Sequence, residues 1–563
     1  MRREVSVVNK KVCSFPILFA LLALLIGTCA VVFPASAQAA PTSTGSITVS
    51  GNVARSYDAY QIFSANVVDG DSDAKIATDL AWASDAVRDA ALPVLHSTGM
   101  PNSQTTAQEA AEWLNTDSHL TSALSAQLAR SLQNSGAVSV ALNAGTEAKL
   151  PCGYWLIVAD DDAIAQGEVG TAPIMALVGG SAVTVKPKAA TPKVAKHVLE
   201  DGTAAWQKAA DATVADDLYW RLSATVPAGL TAYDTYTVQF VDTMSVGLDP
   251  SKIAASMRVY AAAGADGGFD AVSAGKDGRA GIEPAKGWTD ITAQCATKIA
   301  ADGKTFTVRT GDLVAALGGA DAFTAGTRVV AVYNAPLNSA CNHGIAKGNP
   351  NEVYLRYPRS PFADQSGDAG FTRTPSDDAC AYTWDLALTK RGSDGDKPLA
   401  GAVLSIADDR GRTLAADGTW DAEGKATVTT GEDGRVTVSG VDSGKLEVRE
   451  LKAPKGYTAF EGTRSVTVKA EGLDVDQVVA AKPKLTITAE SPLRADSADG
   501  STGSLEASLI NTPTGTPPSI TTGGFMPSTG DMAMYAAAAA AVAGAALIVV
   551  ALLVKRGGGS HKE

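Results

Sequence analysis

The chain has 563 residues, with 47 Lys and Arg against 60 Asp and Glu, a formal net charge of −13. No dense basic cluster interrupts that acidic balance, which excludes a nucleic-acid partner, and the length asks for three or four domains rather than one.

Residues 1–37 have the make-up of a secretion signal. Arg2, Arg3, Lys10 and Lys11 give a basic start, Ile17 to Val32 an apolar region, and Ala35-Ser36-Ala37 a small-residue cleavage site. A second small-residue site, Ala37-Gln38-Ala39, favours cleavage over a retained membrane helix. The first domain is read as 41–185. Ile47 and Val49 alternate with polar residues as in a strand, and two amphipathic stretches follow. In the clearer one, Thr116 to Ser118 offers caps, Leu120, Leu124, Leu128 and Leu132 fall four apart, and Asn134-Ser135-Gly136 ends it. Ordinary core packing explains that leucine stripe. Gly153 to Val158 and Ile174 to Val178 return to strand.

A junction at 186–192 carries Pro187 and Pro192, which break continuous sheet pairing. By period two, Val183 and Val185 face in, while Thr184, Lys186 and Lys188 face out. The second domain, 193–360, and the third, 382–513, are rich in Val, Thr and Gly, with short alternating runs and turns such as Asp433-Gly434. This density of short strands indicates β-sandwiches. The fold class is therefore mostly β: tandem Ig-like sandwiches behind an N-terminal strand-rich domain with inserted helices. A Pro/Thr/Gly spacer covers 514–524. The tail, 525–563, holds Met526-Pro527-Ser528-Thr529-Gly530, an apolar run over 535–554 and then Lys555-Arg556. As a helix that run covers roughly 30 Å, one bilayer core, with the cations on the cytoplasmic side.

Beyond the signal, which holds Cys13 and Cys29, the chain keeps Cys152, Cys295, Cys341 and Cys380, which allow three pairings among which the sequence does not choose. No Cys-x-x-Cys or His pair has metal spacing, so no metal or cofactor is expected. Cys341-Asn342-His343 reads as loop, and Asp160-Asp161-Asp162 as a solvated turn rather than a calcium site.

The most informative signal is polar residues on apolar faces. In the third domain Leu386, Leu388 and Lys390 share a strand face, as do Leu446, Val448 and Glu450, and Ala507, Leu509 and Asn511. The second domain repeats the set: Val194, Lys196 and Val198; Val238, Phe240 and Asp242; Asn351, Val353, Leu355 and Tyr357. A lone buried ion is costly, so these groups should meet one another. One reading is a buried lysine–acid pair hydrogen-bonded to an amide. The other is chemical. Burial pushes the amine towards its neutral, nucleophilic form and the acid towards its protonated form, which polarises the amide carbonyl. The amine then attacks the amide, ammonia leaves and an isopeptide remains. One lysine, one acid and one amide in the same chain order in two domains favours the second reading.

These residues carry a family resemblance. Glu450-Leu451-Lys452-Ala453-Pro454-Lys455-Gly456-Tyr457 matches the Glu-x-x-Ala-Pro-x-Gly-Tyr element of Cna B-type domains, and Lys390 precedes Pro398-Leu399-Ala400-Gly401-Ala402. Phe240 to Leu248 and Asn349 to Leu355 resemble stretches in the middle domain of sortase-assembled backbone pilins. The resemblance implies isopeptides Lys196–Asn351, assisted by Asp242, and Lys390–Asn511, assisted by Glu450. The order Pro-x-Thr-Gly, apolar span, basic tail resembles the cell-wall sorting signal of Gram-positive surface proteins. It implies sortase cleavage between Thr529 and Gly530, with Met526 where the family has Leu. Val183-x-Val185-x-Pro187-Lys188 is similar to the pilin motif, whose lysine joins the Thr of the next subunit. Lys188 aligns with it, and Lys186 is a second candidate.

The chain is thus identified as a member of the Gram-positive major, or backbone, pilins, a structural subunit rather than a turnover enzyme. The implied partners are a pilin-specific class C sortase, a housekeeping sortase, copies of itself, minor pilins, peptidoglycan and an unnamed host ligand. The implied location is the cell wall and extracellular pilus, after a transient membrane stage. The alternative is a wall-anchored adhesin, or a minor tip or base pilin, that never polymerises. An extracellular hydrolase is disfavoured because no nucleophile–base pair stands out.

Overall fold

The computed structural model describes residues 43–515, apart from 52–53, 72–73, 117–118, 165–166, 188–190, 227–231, 264–286, 320–326 and 479–480. The run Gly153–Ala159 is apolar at nearly every position because the strand is covered on both faces. Trp155 and Ile157 face a three-stranded sheet of Glu147–Pro151, Thr44–Val49 and Val183–Val185. Leu156 and Val158 face helices. The strand itself lies in a second sheet with Lys75–Trp82, Ser56–Asp69, Ile174–Val178 and Ser139–Asn143.

Three helices, not two, cover that sheet: Asp85–Ser97, Ala107–Asn115 and Ser122–Gln133. The last is capped by Thr121, whose Oγ1 accepts from Leu124 N (3.1 Å), whereas Thr116 closes the helix before it. Leu124, Leu128 and Leu132 are buried against Leu95 and Ile62, so these three leucines are core, as their period implies, while Leu120 precedes the helix and is half-buried.

The second unit is a sandwich of two sheets. One has the order Ala205–Gln207, Lys193–Glu200, Tyr219–Val226, Thr327–Asn334, Arg258–Ala262, Thr289–Asp290. The other runs Ala209–Asp211, Asp377–Tyr382, Asn349–Pro358, Gln239–Met244, Thr305–Arg309, Ala296–Ile299, with Phe371–Arg373 beside Asn349–Pro358. Trp220, Phe240, Phe306 and Leu355 fill the space between them. This sandwich continues past residue 360, because Asp377–Tyr382 pairs with Asn349–Pro358 and Ala209–Asp211. That strand serves two cores: Ala379 and Ala381 face the second unit, while Cys380 and Tyr382 face the third.

In the third unit the first strand, Trp384–Gly392, lies parallel to the last, Ser504–Pro513, in a sheet with Arg435–Val441, Tyr457–Thr458 and Leu493–Asp499. The facing sheet contains Val403–Ala407, Gly444–Lys452, Thr463–Glu471 and Lys484–Ala489 with three short strands.

The units are docked by specific contacts. Arg412 forms a bidentate pair with Asp216 (2.6 and 2.8 Å), and Val214 N donates to Gly440 O (2.9 Å). Gly440 has φ +68°, and Val214 occupies the place a Cβ would take. Between the first two units, Arg130 pairs with Asp234 (3.0 Å) and Tyr357 Oη donates to Gly167 O (3.0 Å).

Candidate functional site

All six faces read from alternation point inward, and they bring the six polar residues together as two clusters. In the second unit Lys196 sits on Lys193–Glu200, in one sheet. Asp242 and Asn351 lie on neighbouring antiparallel strands of the other, where Asp242 is opposite Val353 and Met244 opposite Asn351. All three residues are 0% exposed. Lys196 Nζ contacts Asp242 Oδ2 and lies 2.9 Å from Tyr333 Oη. Tyr333 Oη donates to Asp242 Oδ2 (3.1 Å) and accepts from Asn351 Nδ2 (2.8 Å). The Lys196 Nζ also lies 5.5 Å from the Trp220 ring centroid and 5.4 Å from that of Tyr333.

Burial dominates the electrostatics. It drives the Lys196 amine down to about 8, against the opposing pull of Asp242. It raises Asp242 above the usual carboxylate range, although Lys196 pulls it back. Both shifts run towards the uncharged forms, the direction that favours a neutral amine able to attack. Asp242 Oδ1 and Asn351 Oδ1 have no hydrogen-bond partner, so the amide carbonyl is open on its oxygen side.

The third unit uses different geometry. The parallel register sets Lys390 opposite Leu509 and Gly392 opposite Asn511, placing Lys390 and Asn511 two residues apart along adjacent strands. Glu450 reaches them from the facing sheet. Lys390 Nζ lies 3.6 Å from Glu450 Oε1 and donates to Leu509 O (3.1 Å). Asn511 Nδ2 donates directly to the same Oε1 (2.9 Å), and Phe460 N holds Oε2 (3.1 Å). Burial drives Lys390 down to about 8, opposed by Glu450. Asn511 Oδ1 is again unpartnered.

Several residues at the second-unit cluster escape sequence reasoning. Tyr333 lies in the run Thr327–Asn334, where an aromatic reads as plain core. Lys208 and Asp377 clamp the backbone of Lys196: Asp377 Oδ2 accepts from Lys196 N (2.6 Å), and Lys208 Nζ donates to Lys196 O (2.9 Å) while contacting Asp377. Neither lies on a strand whose alternation marks it: Lys208 follows Gln207, and Asp377 sits between Ser376 and Asp378.

Cys341 and His343 are closer to a constellation than their sequence suggests. Cys341 Sγ is 3.6 Å from His343 Nε2, and His343 Nδ1 is 2.8 Å from Asp385 Oδ2 across the joint between the second and third units. Burial and Asp385 push the Cys341 thiol up to about 11, away from a reactive thiolate. The four described cysteines are free. Asp160 accepts from Asp162 N (3.1 Å) and Ser56 Oγ (2.8 Å), so it organises its own turn. Among the described residues no group of three or more His, Cys, Asp or Glu could hold a metal, and no helix is long and apolar enough to cross a membrane. The signal 1–37, Lys188, the motif Met526-Pro527-Ser528-Thr529-Gly530 and the apolar run 535–554 lie outside the described residues. Lys186 is exposed, just beyond the strand Val183–Val185.

The fold and these clusters define a chain of tandem β-sandwiches with a lysine, an acid and an amide buried together in each of two cores. Within it, residues 385–482 match the family described as SpaA, prealbumin-like fold domain. Over 143 residues the chain is 30% identical to the trypsin-resistant surface T6 protein of Streptococcus pyogenes serotype M6, covering 24% of each chain. It thus spans about a quarter of the length of that curated relative. Among solved structures it resembles the T6 backbone pilin of serotype M6 S. pyogenes, at 18% identity and a TM-score of 0.45, over 85% of this chain and 100% of that one. It also resembles the full-length major pilin SpaD of Corynebacterium diphtheriae, at 14% identity and a TM-score of 0.41, over 85% and 100%.

Proposed function

We propose that the chain is the major structural subunit of a covalently polymerised surface pilus, stabilised by autocatalytic isopeptides Lys196–Asn351 and Lys390–Asn511. The observation that carries this reading is the pair of buried lysine–acid–asparagine clusters, one in each of two consecutive sandwiches. A shaft subunit bears load along its length, and a covalent tie inside each core is the device such a load calls for. Each bond forms once within its own molecule, so the chain is not a turnover enzyme.

Polymerisation would proceed by a pilin-specific sortase that cleaves after Thr529 and passes the acyl group to Lys188 of the next copy. A housekeeping sortase would then attach the finished polymer to peptidoglycan. Minor pilins and a host ligand complete the set of partners, and adhesion is the purpose. The sequence features at 1–37 and 525–563 support secretion and wall anchoring.

A denaturing gel of cell-wall extract tests the reading. A ladder of high-mass species that survives boiling and reductant supports it. A single wall-anchored monomer, in cells that hold their own pilin sortase, favours the non-polymerised adhesin instead.

A further inference from the structure

The two clusters also differ in how the amide meets the acid. In the third unit Asn511 Nδ2 touches the acid directly, at 2.9 Å from Glu450 Oε1. In the second, the hydroxyl of Tyr333 stands between amide and acid. It accepts from Asn351 Nδ2 at 2.8 Å, lies 2.9 Å from Lys196 Nζ and donates to Asp242 Oδ2 at 3.1 Å. Tyr333 is wholly buried and packs edge-on against Phe306, with ring centroids 4.8 Å apart. Asn351 makes no direct hydrogen bond to Asp242, and Tyr333 is the group that joins them.

We propose that Tyr333 is a catalytic residue of the second-unit crosslink, relaying a proton from Asp242 to the departing nitrogen of Asn351. The inference rests on the crosslinking reading above and adds to it a residue and a step. The amine of Lys196 attacks Asn351 Cγ and forms the Nζ–Cγ bond. The carbonyl electrons move to Oδ1, and Nδ2 loses its amide conjugation and gains a basic lone pair. With the proton of the Lys196 ammonium already passed to Asp242, the hydrogen bonds through Tyr333 reverse: its hydroxyl gives its proton to the Nδ2 lone pair and takes one from the Asp242 carboxylic acid. The Cγ–Nδ2 bond breaks, the carbonyl re-forms and ammonia leaves. Asp242 recovers a proton from Nζ, so acid and phenol end as they began, and the balance is one amine plus one primary amide giving one secondary amide plus ammonia. Burial holds the Tyr333 phenol well above its ordinary value, so it remains a proton donor throughout.

The experiment uses wall-released full chain from cells making wild type, Tyr333→Phe, Asn351→Ala or Asp242→Ala. Peptide mapping reads each linkage separately, after pulse labelling to follow its appearance. General acid–base groups contribute about 100-fold or more. Tyr333→Phe is therefore expected to slow formation of Lys196–Asn351 by at least about that factor while Lys390–Asn511 forms at the wild-type rate. Equal rates for wild type and Tyr333→Phe overturn the assignment. So does a Tyr333→Phe second unit that melts well below the equally unlinked Asn351→Ala, because that marks Tyr333 as structural. Wild type with Lys196 unlinked refutes the crosslinking reading itself, a result distinct from either.

Discussion

Lys196 and Lys390 are two amines removed from water, and in each the effect of burial exceeds the pull of the neighbouring acid. A pair in that condition contributes little as an ion pair, since the desolvation penalty offsets the attraction. A covalent bond removes the penalty altogether, because an amide has no charge to bury. Asp242→Ala and Glu450→Ala are predicted to leave one amide each unreacted. Intact mass should then exceed that of wild type by one ammonia, allowing for the substituted residue, and protease resistance should fall. The closed loops span 155 residues (351 − 196) and 121 residues (511 − 390). By analogy with disulfides, losing either removes about 5 kcal/mol of restriction on the unfolded chain. An unmodified mass in folded wild type leaves the clusters merely hydrogen-bonded.

The same residues predict a pH dependence. In Asn351→Ala the lysine cannot be consumed. Its folded value is about 8 against 10.5 unfolded, so between those values the unfolded chain binds more protons. Stability therefore rises with pH across that window and is lost as pH falls through about 8. Thermal melts of Asn351→Ala should show this gain relative to Asn351→Ala/Lys196→Met, which lacks the titrating amine. A constant difference between the two variants across that window means that Lys196 titrates normally.

At the scale of strands, register decides which face a reactive group occupies. Asn511 is buried and Ile510 half-buried on Ser504–Pro513, paired in parallel with Trp384–Gly392. A one-residue shift turns every side chain to the other face. Exchanging the two residues, Ile510→Asn with Asn511→Ile, keeps the composition and moves the amide away from Lys390 and Glu450. Peptide mapping should find Lys390 unlinked and Lys196–Asn351 intact. A surviving link to position 510 would mean that the strand slips to deliver its amide. Alternation made these faces legible in the sequence, because a lysine or carboxylate on an apolar face is conspicuous. Tyr333 was not legible, since a phenol within Val329-Val330-Ala331-Val332-Tyr333 satisfies the pattern of a core strand and hides its hydroxyl. The strand Asp377–Tyr382 was missed for a related reason. Beyond Asp377 and Asp378 its two faces enter two different cores, so residues 379–382 have no polar side and no alternation to mark them.

At the scale of the whole molecule, the position of the crosslinks matters only if load enters and leaves beside them. The first unit is held to the junction by Thr44–Val49, which pairs in parallel with Val183–Val185, and by Ser50 N donating to Val185 O (2.8 Å). The strand bearing Lys196 begins at Lys193. An acyl group delivered between those two strands would pull on Lys196 almost at once, pass to Asn351, cross the joint held by Arg412–Asp216 and Trp384–Asp211, and reach Lys390 and Asn511. Residues before the junction would lie off that path. On the proposed reading, a sortase acyl-enzyme at Thr529 would be resolved by an amine that is exposed and held near its docking surface. Lys196 is 0% exposed and so is not such an amine, whereas Lys186 at the junction is exposed. In the sequence Lys188 follows Pro187, at the place of the pilin-motif lysine, and it is the proposed linkage residue. Lys188→Ala is therefore predicted to collapse the ladder on denaturing gels to monomer, while wall anchoring through Thr529 continues. Lys186→Ala should leave the ladder intact. Loss of the ladder with Lys186→Ala alone reassigns the linkage to Lys186, and a ladder that survives the double substitution assigns it to another amine.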